Sequence, residues 1–186
     1  FDRNMPEEIN RLLTDSISDM LLVSEPSGME NLEREGHPAE HLHLVGNVMI
    51  DTLLTQVVRA RQQTILADLG LRPEGYGVIT LHRPSNVDDA GTLRSLVEVL
   101  IEVAAKLPMV FPIHPRTQSR LEDSGLWQSL QSASGMHCRG PLGYLDFLCL
   151  TSQAKVIVTD SGGLQEESTA LGVPCLTMRA NTERPI

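Results

Sequence analysis

The stretch KVIVTDSGGLQEESTALGVPCLTMRANTERPI, Lys155 to Ile186, decides the fold. Val156, Ile157 and Val158 form a β-branched, wholly apolar run, which predicts a buried parallel strand ending at Asp160. A glycine pair, Gly162 and Gly163, follows at once. Leu164 to Leu171 has helical spacing, with Glu166 and Glu167 in its first turn, where the helix dipole favours acids, and Gly172 and Pro174 as stop signals. The unit is strand, glycine turn, helix. Backbone N–H groups at the start of such a helix, approached closely because glycine has no Cβ, form a pocket for a phosphate. Ser161 adds a hydroxyl donor.

The turn is selective by what it lacks. GxxxxGK(S/T) is absent, so no lysine is set to reach a terminal phosphate, and the absence of GxGxxG weakens a dinucleotide reading. Glu167, one turn beyond the glycines, is placed to accept both ribose hydroxyls of a nucleotide whose phosphates sit on Ser161 and Gly162, which suggests a nucleoside diphosphate. Against this, SGG is also an ordinary strand-to-helix connection, and acids in a first turn are ordinary dipole partners.

Upstream, the strand–helix alternation repeats. Gly77 to Leu81 reads as a strand delivering His82 and Arg83 at its carboxyl end, where ligands of open α/β sheets bind. Pro84, Ser85 and Asn86 read as a turn, with Asp88 or Asp89 as a cap. Leu93, Leu96, Val97, Leu100, Ile101 and Ala104 make an amphipathic scaffold helix. Met109 to Ile113 is a strand presenting His114, Pro115 and Arg116. Leu121 to Leu130 reads as helix, Met136 to Arg139 as strand, and Tyr144 to Leu150 as helix after the Gly140–Gly143 loop. Tyr144 and Phe147 stand near a strand end in a chain with only 3% aromatic residues, so a ring there is either core or a platform for a nucleobase. Pro174 to Met178 supplies a last strand. These alternations, from Gly77 to Met178, predict a parallel, doubly wound α/β sheet within a domain over 77–186.

The first 46 residues form a shorter α/β piece. A helix follows Pro6, with Glu7 and Glu8 at its start; strands are expected at Met20–Val23 and Leu42–Val45, with a helix at Gly28–Glu35 between them. His37, His41 and His43 lie close in sequence, but no carboxylate or cysteine completes a metal set at familiar spacing. Asn47 to Leu69 reads as a long helix with Val48, Leu53, Leu54, Val57 and Val58 inward, and 47–76 as the link between two domains.

The chain's 186 residues carry a formal charge of −9, which argues against nucleic acid or an anionic membrane as partner. Cys138, Cys149 and Cys175 sit beside apolar residues, are odd in number and lack CxxC spacing, so they read as buried thiols in a reducing compartment, that of a soluble, cytoplasmic protein. The chain starts without methionine and stops within a motif, so it reads as a fragment.

TDSGGLQEES and GVPCLTMRANTERPI, with TLHRPSN at 80–86, FPIHPRT at 111–117 and MPEEINR at 5–11, resemble the signature of the non-hydrolysing UDP-N-acetylglucosamine 2-epimerases. The resemblance implies a GT-B-like fold, of which this chain carries the C-terminal Rossmann-like half and a remnant of the N-terminal domain. It implies interconversion of UDP-N-acetylglucosamine and UDP-N-acetylmannosamine by elimination and re-addition of UDP, without metal or redox cofactor, in polysaccharide biosynthesis and commonly as a homodimer. Residue by residue, it assigns catalytic roles to His82 and Glu7. It assigns UDP contacts to Ser161, Gly162, Glu167 and Arg184, a uracil contact to Phe147, and a backbone contact to the base edge near Leu142. In some bacterial relatives the residues matching Arg83 and His114 help bind a second, regulatory nucleotide sugar; Pro84 and Ser85 depart from the HRREN form there. The family's GTRPE, GD and HVEAG segments have no counterpart in 1–186, so the chain alone is expected to bind rather than turn over. A GT-B glycosyltransferase and a nucleotide-sugar-binding module remain the other readings.

Overall fold

The computed structural model describes residues 6–179. Two compact units divide between Thr52 and Leu53.

The first unit is small. Helix α1 (Pro6–Ser16) is followed by β1 (Leu21–Val23), α2 (Pro26–Arg34), a 3-10 turn (Ala39–His41) and β2 (Leu42–Leu44). The two strands pair in parallel, Leu21 opposite Leu42 and Val23 opposite Leu44. Leu21, Val23, Leu32 and Leu42 make its core, with Met29 against them. Arg11 gathers the charges: its Nη1 and Nη2 fork onto Glu35 at 3.0 and 2.7 Å, while Glu8 and Asp15 also accept from it. That fork ties α1 to the end of α2.

Helix α3 (Val48–Ala60) carries the divide between the units. After it come α4 (Ile65–Asp68), β3 (Gly77–Thr80), α5 (Pro84–Val87), α6 (Ala90–Ala104), β4 (Met109–Pro112), α7 (Pro115–Asp123), α8 (Trp127–Gln131), β5 (Met136–Arg139), α9 (Tyr144–Thr151), β6 (Val156–Thr159), α10 (Gly162–Leu171) and β7 (Cys175–Thr177). All pairings in the five-stranded sheet are parallel, in the order β5-β4-β3-β6-β7. The expected doubly wound α/β architecture is therefore present. A parallel strand buried on both faces must be apolar at every position, and alternate residues serve alternate cores. Ile79, Met109, Phe111 and Val158 pack with Leu93, Val97 and Leu100 of α6 and Leu121 of α7. On the other face Val78, Val110 and Ile157 pack with Leu53 and Ala60 of α3, Leu148 and Leu150 of α9, and Leu164 of α10. Each fully buried aliphatic side chain there contributes about 1.5–3 kcal/mol relative to exposure.

Strand order fixes where a site can lie. From β3 the chain winds one way through β4 to β5, then crosses back to β6 on the other side of β3. The carboxyl ends of β3 and β6 thus diverge at a topological switch point, the crevice where open α/β sheets bind ligands.

Several local expectations need correction. Asn47–Leu69 is two helices, with residues 61–64 between them, and Val48, Leu54 and Val58 face outward at 60, 54 and 69% exposure. Leu53 and Ala60 are fully buried, so the inward stripe is narrower than the apolar pattern. The helix expected from Leu121 to Leu130 is also two. The first begins at Pro115, with His114 as N-cap, and Gly125 at φ +69° ends it. Residues 84–87 form a short helix, and Asp89 caps α6 by accepting from the Thr92 N–H at 2.8 Å. Among the described residues no helix is long and apolar enough to cross a membrane; all three cysteines are free thiols, but only Cys149 is buried, Cys138 and Cys175 being half-buried.

Candidate functional site

The site is built at the switch point. Ser161 has extended backbone (φ −83°, ψ 127°) and serves as the N-cap of α10, so the helix begins at Gly162 and the glycine pair is its first turn. Glu166 and Glu167 then fall in the second turn, and the first turn holds no acid. The expected dipole role for these acids is thereby corrected: the favourable field decays within one turn.

The orphan N–H groups at this helix start have separate fates. The Ser161 N–H donates to Thr159 Oγ1 at 2.9 Å, and that oxygen shares a hydrogen with Thr80 Oγ1. The Ser161 hydroxyl makes no capping bond. Gly163 lines the crevice, and a Cβ built on it would meet nothing within 4 Å.

A cavity of about 230 Å³ opens here, lined by Thr80, His82, Phe147, Ser161, Gly163, Leu164 and Glu167. Four residues singled out in the sequence, from three separate segments, therefore line one cavity: His82, Phe147, Ser161 and Glu167. Gly162 is buried directly beside them. Burial pushes the Glu167 carboxyl above the usual carboxylate range, and neighbouring Glu166 adds to the shift. A ligand hydroxyl donating to that carboxylate would replace the water it has lost. Tyr144 is 47% exposed and does not line the cavity, so Phe147 is the ring that does.

The residue missed in the sequence is Asp160. It is fully buried, and its carboxylate accepts from the His82 N–H (3.0 Å), the Arg83 N–H (2.9 Å) and Asn86 Nδ2 (3.0 Å). His82 Nδ1 lies 3.0 Å from Oδ1. The available signal was the aspartate closing the VIVTD strand, since a buried carboxylate needs donors and the strand beside it ends in LHR. Arg83 Nε donates to the Asp160 carbonyl at 2.9 Å, and Asn86 Nδ2 also reaches the Met178 carbonyl at 2.9 Å.

Other assigned residues lie elsewhere. Leu142 is absent from the cavity lining, and its side chain packs against the apolar cluster of α3, α9 and α10. His114 is exposed; its ring centroid is 6.1 Å from that of His82, and its Nδ1 accepts from the Arg116 N–H at 3.2 Å. Arg116 and Arg120 both pair with Asp88 and hold its carboxyl below the usual range. Glu7 lies within α1, but its side chain is outside the described ones, and Arg184 lies outside the described residues. Glu8 is held by Arg11 at 2.8 Å.

Known proteins resemble this chain over its whole length. The family described as UDP-N-acetylglucosamine 2-epimerase matches residues 1–186. A UDP-N-acetylglucosamine 2-epimerase of Methanocaldococcus jannaschii is 42% identical over 195 residues, covering 100% of this chain and 52% of the relative. A UDP-2,3-diacetamido-2,3-dideoxy-D-glucuronate 2-epimerase of Pseudomonas aeruginosa is 40% identical over 186 residues, covering 98% and 50%. The crystal structure of the Methanocaldococcus jannaschii enzyme in complex with UDP-GlcNAc and UDP superposes with a TM-score of 0.85, over 100% of this chain and 52% of that one. The Neisseria meningitidis enzyme bound to UDP-GlcNAc gives 0.81 at 30% identity, over 97% and 50%. The chain spans about half the length of the relatives it matches.

Proposed function

Because the chain belongs to the UDP-N-acetylglucosamine 2-epimerase family, we propose that it forms the UDP-binding half of an enzyme that interconverts UDP-N-acetylglucosamine and UDP-N-acetylmannosamine. The observation carrying this is the convergence of His82, Phe147, Ser161 and Glu167 on one cavity at the switch point of a Rossmann-like sheet. UDP is common to the names of the relatives' substrates, and the sugar varies among them. A pyrophosphate on the Gly162 and Gly163 amides, ribose hydroxyls on Glu167 and a uracil against Phe147 use the helix start, the buried carboxyl and the ring of the cavity. In this reading Leu142 lends backbone to the base edge, and Arg184 is a contact of the sugar nucleotide.

The chemistry divides between this half and the segments beyond it. A carboxylate removes the proton at C2, the C1–O bond breaks with its electron pair going to UDP, and a C1=C2 double bond forms. Protonation of C2 from the other face, with UDP adding back to C1, gives the epimer. Charge growing on the departing diphosphate is met by the Ser161 hydroxyl and the α10 amides, and His82 serves the leaving oxygen by delivering a proton to it. Glu7 is the carboxylate this chain contributes; Glu8 is already committed to Arg11. Arg83 follows His82 in the chain and the His114 ring lies 6.1 Å from that of His82, outside the cavity lining; these two are the candidates for a regulatory subsite.

The domain division that goes with this reading is 1–46 as the end of the N-terminal domain, 47–76 as the link and 77–186 as the UDP domain. The full protein is read as a cytoplasmic homodimer. The test is acceptor-free interconversion of UDP-N-acetylglucosamine by the full-length protein in D₂O. Deuterium at C2 of both epimers supports epimerisation. No wash-in, with sugar transfer appearing only when an acceptor is added, would replace it with a glycosyltransferase of the same fold.

A further inference from the structure

We infer that Asp160 is the positioning residue of this site, holding the His82 imidazole through Nδ1 so that Nε2 is the nitrogen available to a ligand. The role of His82 toward a leaving diphosphate rests on the function proposed above; the orientation of its ring does not.

The argument starts from burial. Asp160 has no exposed surface, while the His82 side chain is 43% exposed, so the carboxylate is a fixed point inside the sheet and the ring is the group that reaches out. Asp160 comes directly after β6 and His82 two residues after β3, the two adjacent strands paired from Gly77 with Val156 to Thr80 with Thr159. Their register carries the carboxylate to the first residues beyond β3, where it meets two backbone N–H groups, the Asn86 amide and the imidazole. The backbone N–H groups can only donate, and the Asn86 amide presents its Nδ2, whose other bond, to the Met178 carbonyl, fixes that orientation. A carboxylate surrounded in this way only accepts, and a bare Nδ1 3.0 Å from Oδ1 would set lone pair against lone pair, so the hydrogen of the neutral ring belongs at Nδ1.

The consequence is a specific tautomer. Neutral histidine free in water favours the Nε2–H form; His82 is held in the Nδ1–H form, with its lone pair at Nε2. A proton taken up by His82 then arrives at Nε2 and is delivered from Nε2, on the ring edge away from Asp160. The neighbouring His114 supplies an internal contrast. Its Nδ1 accepts from the Arg116 N–H at 3.2 Å, so its neutral form is the opposite tautomer, Nε2–H. Two imidazoles 6.1 Å apart thus differ in which nitrogen carries the proton.

The experiment is long-range ¹H–¹⁵N correlation on the protein labelled at its histidines, in alkaline buffer, with His82→Gln and His114→Gln to assign the rings. A pyrrole-like Nδ1 and pyridine-like Nε2 for His82, beside the reverse for His114, is the expected result. An Nε2–H signature for His82 overturns the proposal. Asp160→Asn is expected to release the tautomer, and Asn86→Ala, which leaves the Nδ1 contact in place, to preserve it. Retention of the Nδ1–H form in folded Asp160→Asn would also refute the assignment. If that variant does not fold, the wild-type spectrum decides. UDP added to the same sample tests the nucleotide reading separately. A shift of His82 Nε2 supports both, and an Nδ1–H signature without any response to UDP keeps Asp160 in its role while removing the nucleotide.

Discussion

Replacing Gly163 by alanine should strengthen the fold and weaken the site at the same time. A Cβ at this position meets no atom within 4 Å, and Gly163 lies in the first turn of α10 at a negative φ, so nothing in the protein resists the methyl group. Alanine in place of glycine within a helix is worth up to about 1 kcal/mol. In a protein of this size that raises the melting temperature by roughly 2–4 °C. The same methyl group enters a cavity of only about 230 Å³, on the rim where a phosphate oxygen must come to about 2.9 Å from the backbone N–H. Loss of one hydrogen bond to a charged group costs about 1.5–3 kcal/mol, roughly a 10- to 150-fold rise in Kd. At UDP a hundredfold above the wild-type Kd, the wild-type chain gains about 2.7 kcal/mol, or about 5–10 °C. A thirtyfold weaker variant gains only about 0.9 kcal/mol, or about 2–3 °C. The assay is a thermal-shift titration of both proteins with UDP, beside circular dichroism. If Gly163→Ala melts higher and responds to UDP as the wild type does, the phosphate is not at this helix start. Lower stability without ligand would refute the structural half of the reasoning.

Glu167→Gln should also separate stability from binding. Its carboxyl is raised in the folded state, so the ionised form opposes folding as pH climbs above the ordinary glutamate value; the amide removes that penalty at neutral pH but weakens UDP, as urea midpoints and calorimetric titration will read. Phe147→Ala should reduce affinity for UDP by about 1–3 kcal/mol while leaving inorganic pyrophosphate unaffected in parallel titrations, because only the nucleotide has a base to stack. Gly135→Ala should unfold at lower denaturant than Gly125→Ala: both need positive φ, costing about 1–2 kcal/mol, but only Gly135 would set a Cβ 2.2 Å from the Ala104 carbonyl. In the first unit, Arg11 holds Glu35 below its ordinary value, so the pair stabilises above that value and is lost as pH falls through the lowered one. Protection factors of the α1 amides, corrected for the intrinsic pH dependence of exchange, should therefore fall in the wild type as pH drops from the ordinary glutamate value through the lowered one and stay level in Glu35→Gln, the bond being worth no more than about 1 kcal/mol.

Much of this was legible in the chain because it is local. The VIVT and MVFP runs and the i, i+3, i+4 stripe of α6 state their own periods, and strands β3 to β7 lie within one or two residues of where the pattern puts them. Segment ends were less legible. His114 caps a helix that begins at proline, and α10 takes in its glycines, because a cap is a backbone geometry that several residue types can adopt. The outward faces of Val48, Leu54 and Val58 were not legible at all, since an apolar residue does not say which neighbour will cover it.

By itself, then, the sequence determined the element types, the parallel α/β class and, through its motifs, which residues to suspect. Tertiary structure alone decided that β6 lies beside β3, pairing Thr80 with Thr159 across 79 positions, and so which of those residues share a cavity. Asp160 shows why. Its role depends on donors 74 to 78 positions away, and no local period encodes a hydrogen bond whose geometry exists only once two distant strands have found their register.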